Sequence, residues 1–353
     1  MSTRELSGRG TGIRPPNRFE ELRFEPDPEA VLDEEAPPLP TRYYRDASRT
    51  ILAENQSPDV GFRFSLNPYR GCEHGCTYCY ARPSHEYLGF DAGLDFESRI
   101  MVKDDAPDLL RRALRSARWQ PQVVALSGNT DCYQPIERRL GITRRCLQVF
   151  AEFRNPVGVI TKSALVARDA DVLAELASHR CAQVRLSVTT LDADLARRLE
   201  PRAATPARRL EAIAALARAG IPTGVMIGPV IPGLNDSEIP AILRAASEAG
   251  ARTASWVLLR LAPPIDTLFV EWLDRHLPLR RDKVLHRIRE CRAGRITDSA
   301  FGRRMRGQGE YARQIAALFD ASARRHHLDG ALPELDPGGF RLPPERSDQL
   351  VLL

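Results

Sequence analysis

The sequence predicts an α/β protein built as a partial (β/α)6 TIM-type barrel of parallel strands, with an N-terminal arm and a C-terminal helical segment. Three observations predict it. Between about residues 62 and 262, six short runs rich in β-branched residues alternate with amphipathic stretches of period near 3.6. The unusual polar residues cluster at the C-terminal ends of those runs, where parallel barrels carry their chemistry. Six units are too few to close an eight-stranded barrel and enough for an open one.

Residues 1–60 are rich in Pro, Arg and acidic residues with little periodicity, which predicts a mobile tail or an extended arm lying over the domain. The first strand is GFRFSLNP, which runs into the loop NPYRGCEHGCTYCYARP. QVVALSG (122–128), VGVITKS (157–163) and QVRLSVTT (183–190) are the second to fourth strands. The fifth, IPTGVMIGPVIPG (221–233), carries Gly and Pro residues that signal a close-approach loop at its end. ASWVLLRL (254–261) is the sixth. Helices lie between them. In RRLEAIAALARAG, Leu210, Ile213, Ala214 and Ala217 are expected to share the buried face, with Gly220 as a C-cap signal. After about residue 265 the strand signal fades, and DKVLHRIRECRAG and YARQIAALFDASARR read as two further helices of the segment 263–353.

The 353 residues are 43% hydrophobic, enough for a sizeable core. MSTRELSGRGTGIRPP has no apolar h-region and no run of 18 apolar residues occurs, so a cytoplasmic protein without a membrane span is expected. Seven cysteines in a chain of this length fit reduced thiols better than disulfides. The net charge of +5 is too mild to indicate nucleic acid by itself. Only Lys103, Lys162 and Lys283 are lysines, so a lysine at a strand end stands out.

Cys72, Cys76 and Cys79 form C-x3-C-x2-C in a loop crowded with Gly, Pro and aromatic residues. Structural zinc takes four ligands and ordinary four-iron clusters take four thiolates. Three thiolates at this spacing suggest a cluster with one iron left open. The alternative is zinc completed by His74 or His85. Cys132, Cys146, Cys181 and Cys291 are scattered and form no second close-spaced set.

C-x3-C-x2-C with Tyr78 before the last cysteine, followed by a partial βα barrel, resembles the radical S-adenosylmethionine (SAM) superfamily over roughly 62–262. GCTYCYAR, SGNTDCYQPIE, the ITKS strand end and LEPRAATPARRLEAI are similar to the branch related to spore photoproduct lyase, whose members include DNA-repair lyase-like proteins. The resemblance implies a [4Fe-4S] cluster on Cys72, Cys76 and Cys79 whose open iron chelates SAM. It implies reductive cleavage to a 5′-deoxyadenosyl radical that abstracts hydrogen from a substrate, with a flavodoxin or ferredoxin as electron donor and nucleic acid among the candidate substrates. An iron-sulfur electron-transfer protein without turnover is the competing reading, and a polar rim that such a carrier does not need separates the two.

For the cofactor, the resemblance points to Tyr78, whose backbone would touch adenine, and to Ser127, Gly128, Asn129, Thr130 and Asp131 near the methionyl amino group. A plain turn is the alternative for this last stretch. Lys162, at a strand end in the barrel mouth, calls for an anion, unless it reaches out to solvent. Ser187 and Thr189 stand where ribose contacts are expected. Glu200 and Arg202 are either a cofactor clamp or a structural ion pair, and Met226 and Gly228 would approach adenine. Spore photoproduct lyases carry a hydrogen-returning cysteine at a position that falls near Gly128 here, so Cys132 or Tyr133 would have to serve from a shifted place, the alternative being a packed thiol. Arg303, Arg304 and Arg306 cluster near the Gly-rich C-terminal turn and Tyr80, Tyr87 and Tyr133 are expected to flank the mouth, a combination that suits a phosphate backbone and stacked bases, the alternative being a solvated face.

Overall fold

The computed structural model describes residues 8–19 and 39–344; residues 1–7 and 20–38 of the expected arm and 345–353 of the expected tail lie outside them. The strands are β1 (Arg42–Arg45), β2 (Leu52–Glu54), β3 (Phe64–Leu66), β4 (Tyr69–Arg70), β5 (Arg99–Val102), β6 (Val124–Leu126), β7 (Val157–Thr161), β8 (Ala182–Ser187), β9 (Thr223–Val230) and β10 (Ala254–Leu258). Seven of them make one sheet in the order β10-β9-β8-β7-β6-β3-β2. From β3 to β10 all neighbours are parallel, with Phe64 opposite Val124 and Val157 opposite Ala182. The six expected strands are therefore adjacent in chain order, as right-handed crossovers through helices require. The sheet stays open: β10 forms one edge and the antiparallel β2 the other.

The core sits between this sheet and the helices behind it. Val124, Leu126, Val157, Val159, Val184, Leu186, Val225 and Ile227 pack with Leu147, Phe150 and Phe153 of the helix Ile142–Phe153 and with Leu173 and Leu176 of Ala170–Ser178. In the helix Pro206–Arg218, the buried residues are Pro206, Arg209, Ala212, Ile213 and Leu216; of the expected face Ile213 is buried, Leu210 packs half-buried against the core, and Ala214 and Ala217 are half-buried. The face is turned because Arg209, a charge that apolar periodicity counts as outward, points inward to a buried carboxylate. Gly220 follows the helix at φ +76°, the left-handed geometry of a C-terminal cap.

Beyond the barrel the described residues form three α-helices rather than two: Ile265–His276, Arg281–Glu290 and Gly309–Arg325. The first buries Phe269, Trp272 and Leu273 against Leu195 and Leu199 in a second core that also holds Cys76 and Tyr78. That helix thus supports the cysteine loop from below.

The segment read as an arm contributes β2 to the main sheet and β1 to a small sheet ordered β1-β5-β4. Residues 8–19 lie along the cysteine loop. Arg14 pairs with Asp91 at 2.9 Å and Asp95 at 2.6 Å, and Arg18 pairs with Glu86 at 2.6 Å. The Gly10 and Thr11 N–H groups donate to the Glu97 carboxylate at 2.9 and 3.1 Å. A Cβ on Gly10 would lie 1.6 Å from the Gly75 carbonyl oxygen, so the two backbones touch as only glycine permits. Gly10→Ala is expected to displace this strap at a cost of about 1–3 kcal/mol. Faster amide hydrogen exchange confined to residues 8–19 and the cysteine loop checks it; unchanged exchange there contradicts it.

Candidate functional site

Loops at the C-terminal ends of the parallel strands build one rim, starting with the cysteine loop after β3. Cys72 and Cys79 pack with Ala81 and Phe96, and Cys76 and Cys79 pack with Tyr78. All seven cysteines are free thiols. Burial pushes the Cys72, Cys76 and Cys79 thiols up, and neighbouring charges add to it at Cys72 and Cys76 (Asp131 and the other thiols for Cys72, Glu200 for Cys76). Loading a metal replaces those protons.

The loop is held by one guanidinium. Arg82 is fully buried, and its five N–H groups go to the Cys76 carbonyl (3.0 and 2.8 Å), the Ala92 and Gly93 carbonyls (3.1 and 2.9 Å) and Glu97 (2.5 Å). Glu97 is equally buried and also receives the strap at Gly10 and Thr11. A buried pair is tolerable only when every donor and lone pair is used, as here.

Neither histidine completes a zinc site with the triplet. His74 Nδ1 faces Asp131 at 3.4 Å, and His85 Nε2 bonds the Arg99 carbonyl at 2.9 Å. Among the described residues no three His, Cys, Asp or Glu side chains close around a single ion. Cluster thiolates instead each bind a different iron. The donor set of two buried thiols and the half-buried Cys79, without a fourth protein ligand among the described residues, fits a four-iron cluster with an open site.

In the loop after β6, Ser127 adopts φ +74°, uncommon for a residue with a side chain. Its hydroxyl accepts the Cys132 N–H at 2.8 Å. Asn67 Oδ1, in the first loop, accepts the N–H groups of Asn129 (2.8 Å) and Thr130 (3.2 Å). The Asn129 amide donates to Ser84 at 3.2 Å, and the Thr130 hydroxyl to the Tyr69 carbonyl at 2.6 Å. Asp131 ties three loops together, accepting Thr161 Oγ1 (2.7 Å) and the N–H groups of Lys162 (2.8 Å) and Tyr133 (2.9 Å) besides facing His74. Burial pushes its carboxyl up, but the His74 contact and these hydrogen bonds prevail and hold it at about 2.

Lys162 Nζ donates to Ser187 Oγ at 2.9 Å and to the Gly228 carbonyl at 2.8 Å, and lies 5.8 Å from the Tyr78 ring centroid. It forms no salt bridge with a described carboxylate. The ammonium therefore stands inside the rim rather than in solvent. Ser187 Oγ donates to the same carbonyl at 3.1 Å, and Met226 flanks Gly228. Glu200 is buried. It accepts the Tyr78 hydroxyl and Thr189 Oγ1 (2.6 Å) and pairs with Arg209, whose guanidinium also holds the Ser187 carbonyl at 3.0 Å. Against the upward push of burial, Arg209 and Lys162 keep Glu200 at about 2.

Arg202 is elsewhere. It pairs with Glu73 at 3.1 Å and Thr41 at 3.1 Å, so Glu200 and Arg202 form no pair with each other; the sequence offered no sign that Arg209 would take that place. Cys132 is fully buried in the main core, and Tyr133, equally buried, donates to Asp169 at 3.1 Å. The expectation that Tyr133 and Tyr87 flank the mouth is corrected likewise: Tyr87 stacks on Phe19 at 4.9 Å. A Cβ on Gly128 would lie 2.5 Å from Ser65 Cβ, which explains why this loop has no room for a cysteine at that place. Asn67, Arg82, Glu97 and Arg209 escaped the sequence reading, since one arginine among 48 carries no local signal.

Glu200→Gln removes a charge and leaves buried Arg209 unpaired, at an expected cost of about 3–5 kcal/mol. The depressed carboxyl stabilises the fold above its ordinary value of 4.5 and loses that contribution as pH falls towards about 2. Thermal denaturation between about pH 5 and pH 3 is expected to fall less steeply in the variant than in the parent. Equal slopes contradict the assignment.

The comparisons agree with this geometry. The family described as the radical SAM superfamily matches residues 66–246. An uncharacterized protein of Mycobacterium tuberculosis is 37% identical over 231 residues, covering 64% of this chain and 68% of that protein. One from Methanocaldococcus jannaschii is 30% identical over 184 residues, covering 52% and 66%. The structure of spore photoproduct lyase complexed with dinucleoside spore photoproduct shares the fold at a TM-score of 0.57 and 14% identity, over 80% of this chain and 79% of that one. With the three-cysteine loop at the mouth of an open parallel barrel and the family matching across that barrel, the chain belongs to the radical SAM superfamily.

Proposed function

We propose that this chain is a radical SAM enzyme in which Cys72, Cys76 and Cys79 hold a four-iron cluster and the rim around Lys162 holds SAM. The observation that carries it is the pairing of three free thiols, two buried and one half-buried, with an ammonium that has no described carboxylate partner, in one barrel mouth. When bound, the cluster and SAM together supply a carbon-centred radical able to take hydrogen from an unreactive C–H bond.

The chain's own residues bind and orient. Lys162 would receive the methionyl carboxylate, and the Asn129 amide would face the amino-acid end of the ligand. Ser187 and Thr189 offer hydroxyls to the ribose, while Met226, Gly228 and the Tyr78 backbone would border adenine. Glu200 is a positioning residue: through Arg209, Tyr78 and Thr189 it fixes β8 against the cysteine loop. Thr130 and Asp131 hold the loop after β6. Arg202, Cys132 and Tyr133 act in packing, because their groups are committed away from the rim. A plain electron carrier needs no such rim, which supports turnover over electron transfer alone. A cytoplasmic enzyme is the reading that reduced thiols favour.

The substrate is proposed to be a nucleic acid. Across the open side of the barrel, Arg260 after β10 stacks 5.6 Å from the Tyr80 ring, and Arg304 lies 4.4 Å from the exposed Phe301 ring. Tyr80, half exposed, donates to the Gly128 carbonyl at 2.9 Å, which ties the ring under Arg260 to the loop after β6. Arg260 has no described carboxylate partner; Asp59 is taken by Arg304. Guanidinium groups beside exposed rings suit phosphates and bases. The lyase fold likeness and its dinucleoside ligand add to this reading.

After anaerobic reconstitution, dithionite with SAM is expected to yield 5′-deoxyadenosine, measured by chromatography. Cys76→Ala should abolish it, and Lys162→Ala should weaken SAM binding about 10–100-fold; retained cleavage in the cysteine variant refutes the ligand assignment. Single-stranded DNA or RNA should bind with an affinity that falls with salt, and Arg260→Ala should cost about tenfold. Salt-independent or absent binding sinks the nucleic-acid proposal while leaving the radical chemistry standing.

A further inference from the structure

The cysteine loop reaches a further cavity through His74, which is itself almost fully buried. His74, between Cys72 and Cys76, forms part of the wall of a surface cavity of about 530 Å³ whose other walls include Arg138, Arg168, Arg202 and Arg208. No Asp or Glu is among its lining residues. The carboxylates that anchor two of these arginines lie beneath the surface: Glu73 holds Arg202 at 3.1 Å, and Glu137 and Asp169 hold Arg168 at 2.8 Å. All three carboxylates are fully buried, so the guanidinium groups rather than the acids face the cavity. Arg138 is exposed and forms no salt bridge with a described carboxylate. Arg208 has only the exposed Glu211, at 2.7 Å, a pair that water and salt weaken.

Two other flanks of the loop are taken. The strap covers one through Gly10 on Gly75 and Glu97. The mouth, with Lys162, Ser187 and Gly228, is the ligand side. A group held by the three thiolates must take up electrons one at a time, and transfer weakens steeply with distance. The donor therefore needs a face that reaches the loop without crossing the ligand pocket. The arginine-walled cavity is that face, and its charge selects an acidic visitor.

We propose that this cavity and its rim at Arg138 and Arg208 form the docking surface for a small acidic one-electron carrier protein, which rests on the reading of the cysteine triplet as a cluster site. One electron leaves the reduced carrier and one enters the group held by Cys72, Cys76 and Cys79; no bond is made or broken.

The probe is a flavodoxin titrated against the full chain, with and without reconstituted iron and sulfide, by flavin fluorescence anisotropy. Binding is expected to weaken as salt rises from about 50 to 300 mM. Arg138→Glu with Arg208→Glu should weaken it about tenfold or more, and Arg138→Glu alone by a smaller factor. Arg112→Glu, beside a separate cavity walled by Arg45 and Arg49, should leave it unchanged. Dithionite-driven 5′-deoxyadenosine formation should be the same in the double variant as in the parent, while flavodoxin-driven formation falls with the binding. No binding to the parent chain, parental binding by the double variant, or an equal loss with Arg112→Glu overturns the docking face. Failure of dithionite-driven formation in the parent would strike the radical-enzyme reading instead, and the binding titration tells the two apart.

Discussion

A loop that must present three thiols to one bound group cannot spend its backbone on regular secondary structure, and its stability has to come from outside. Here it comes from the buried ion pair of Arg82 and Glu97. Arg82 grips the Cys76 carbonyl twice and the chain at Ala92 and Gly93, while Glu97 draws in the strap at Gly10 and Thr11. Removing either partner would strand a charge in a site without water, so loop, strap and pair stand or fall together. The close approach of Gly10 and Gly75 follows from this, because the strap must come near enough for its N–H groups to reach a carboxylate under the loop.

The rim uses the same device twice more. Asp131 joins the loops after β6 and β7 to the cysteine loop, and Glu200 joins β8 to Tyr78 through Thr189 and Arg209. Glu200 is buried and Asp131 half-buried, each is held ionised by its neighbours, and each spends its oxygens on protein donors. Such groups cannot also chelate a ligand without losing those bonds. They set the distances between the loops, and groups like Lys162 and Ser187 remain to make contact. The open sheet completes the arrangement, since its edges β2 and β10 leave a side that is bridged by Tyr80, Arg260 and the Arg304–Asp59 pair.

The parallel core was legible because its strands are short, largely buried β-branched runs separated by amphipathic helices, a pattern that needs no long-range information. β1, β2 and β4 were not, because they are two to four residues long, and β1 and β4 exist only through β5, a partner outside their own segment. The helix Ile265–His276 was missed although its apolar residues are plain in hindsight. The turned face of Pro206–Arg218 was misjudged for a sharper reason: a buried arginine is indistinguishable from a surface one until its carboxylate is known.

By itself, the sequence determined the order of the parallel strands, the loop that carries Cys72, Cys76 and Cys79, and the presence of a lysine at the end of β7, since these are local patterns and spacings. Only the tertiary structure decided which polar residues are free to act. Arg202 turned to Glu73 and left Glu200 to Arg209; Cys132 and Tyr133 went into the core; Ser65 closed the space at Gly128. Each of those outcomes depends on where a partner from a distant segment stands, and pairing of buried charge is settled by burial and distance, which no local spacing encodes.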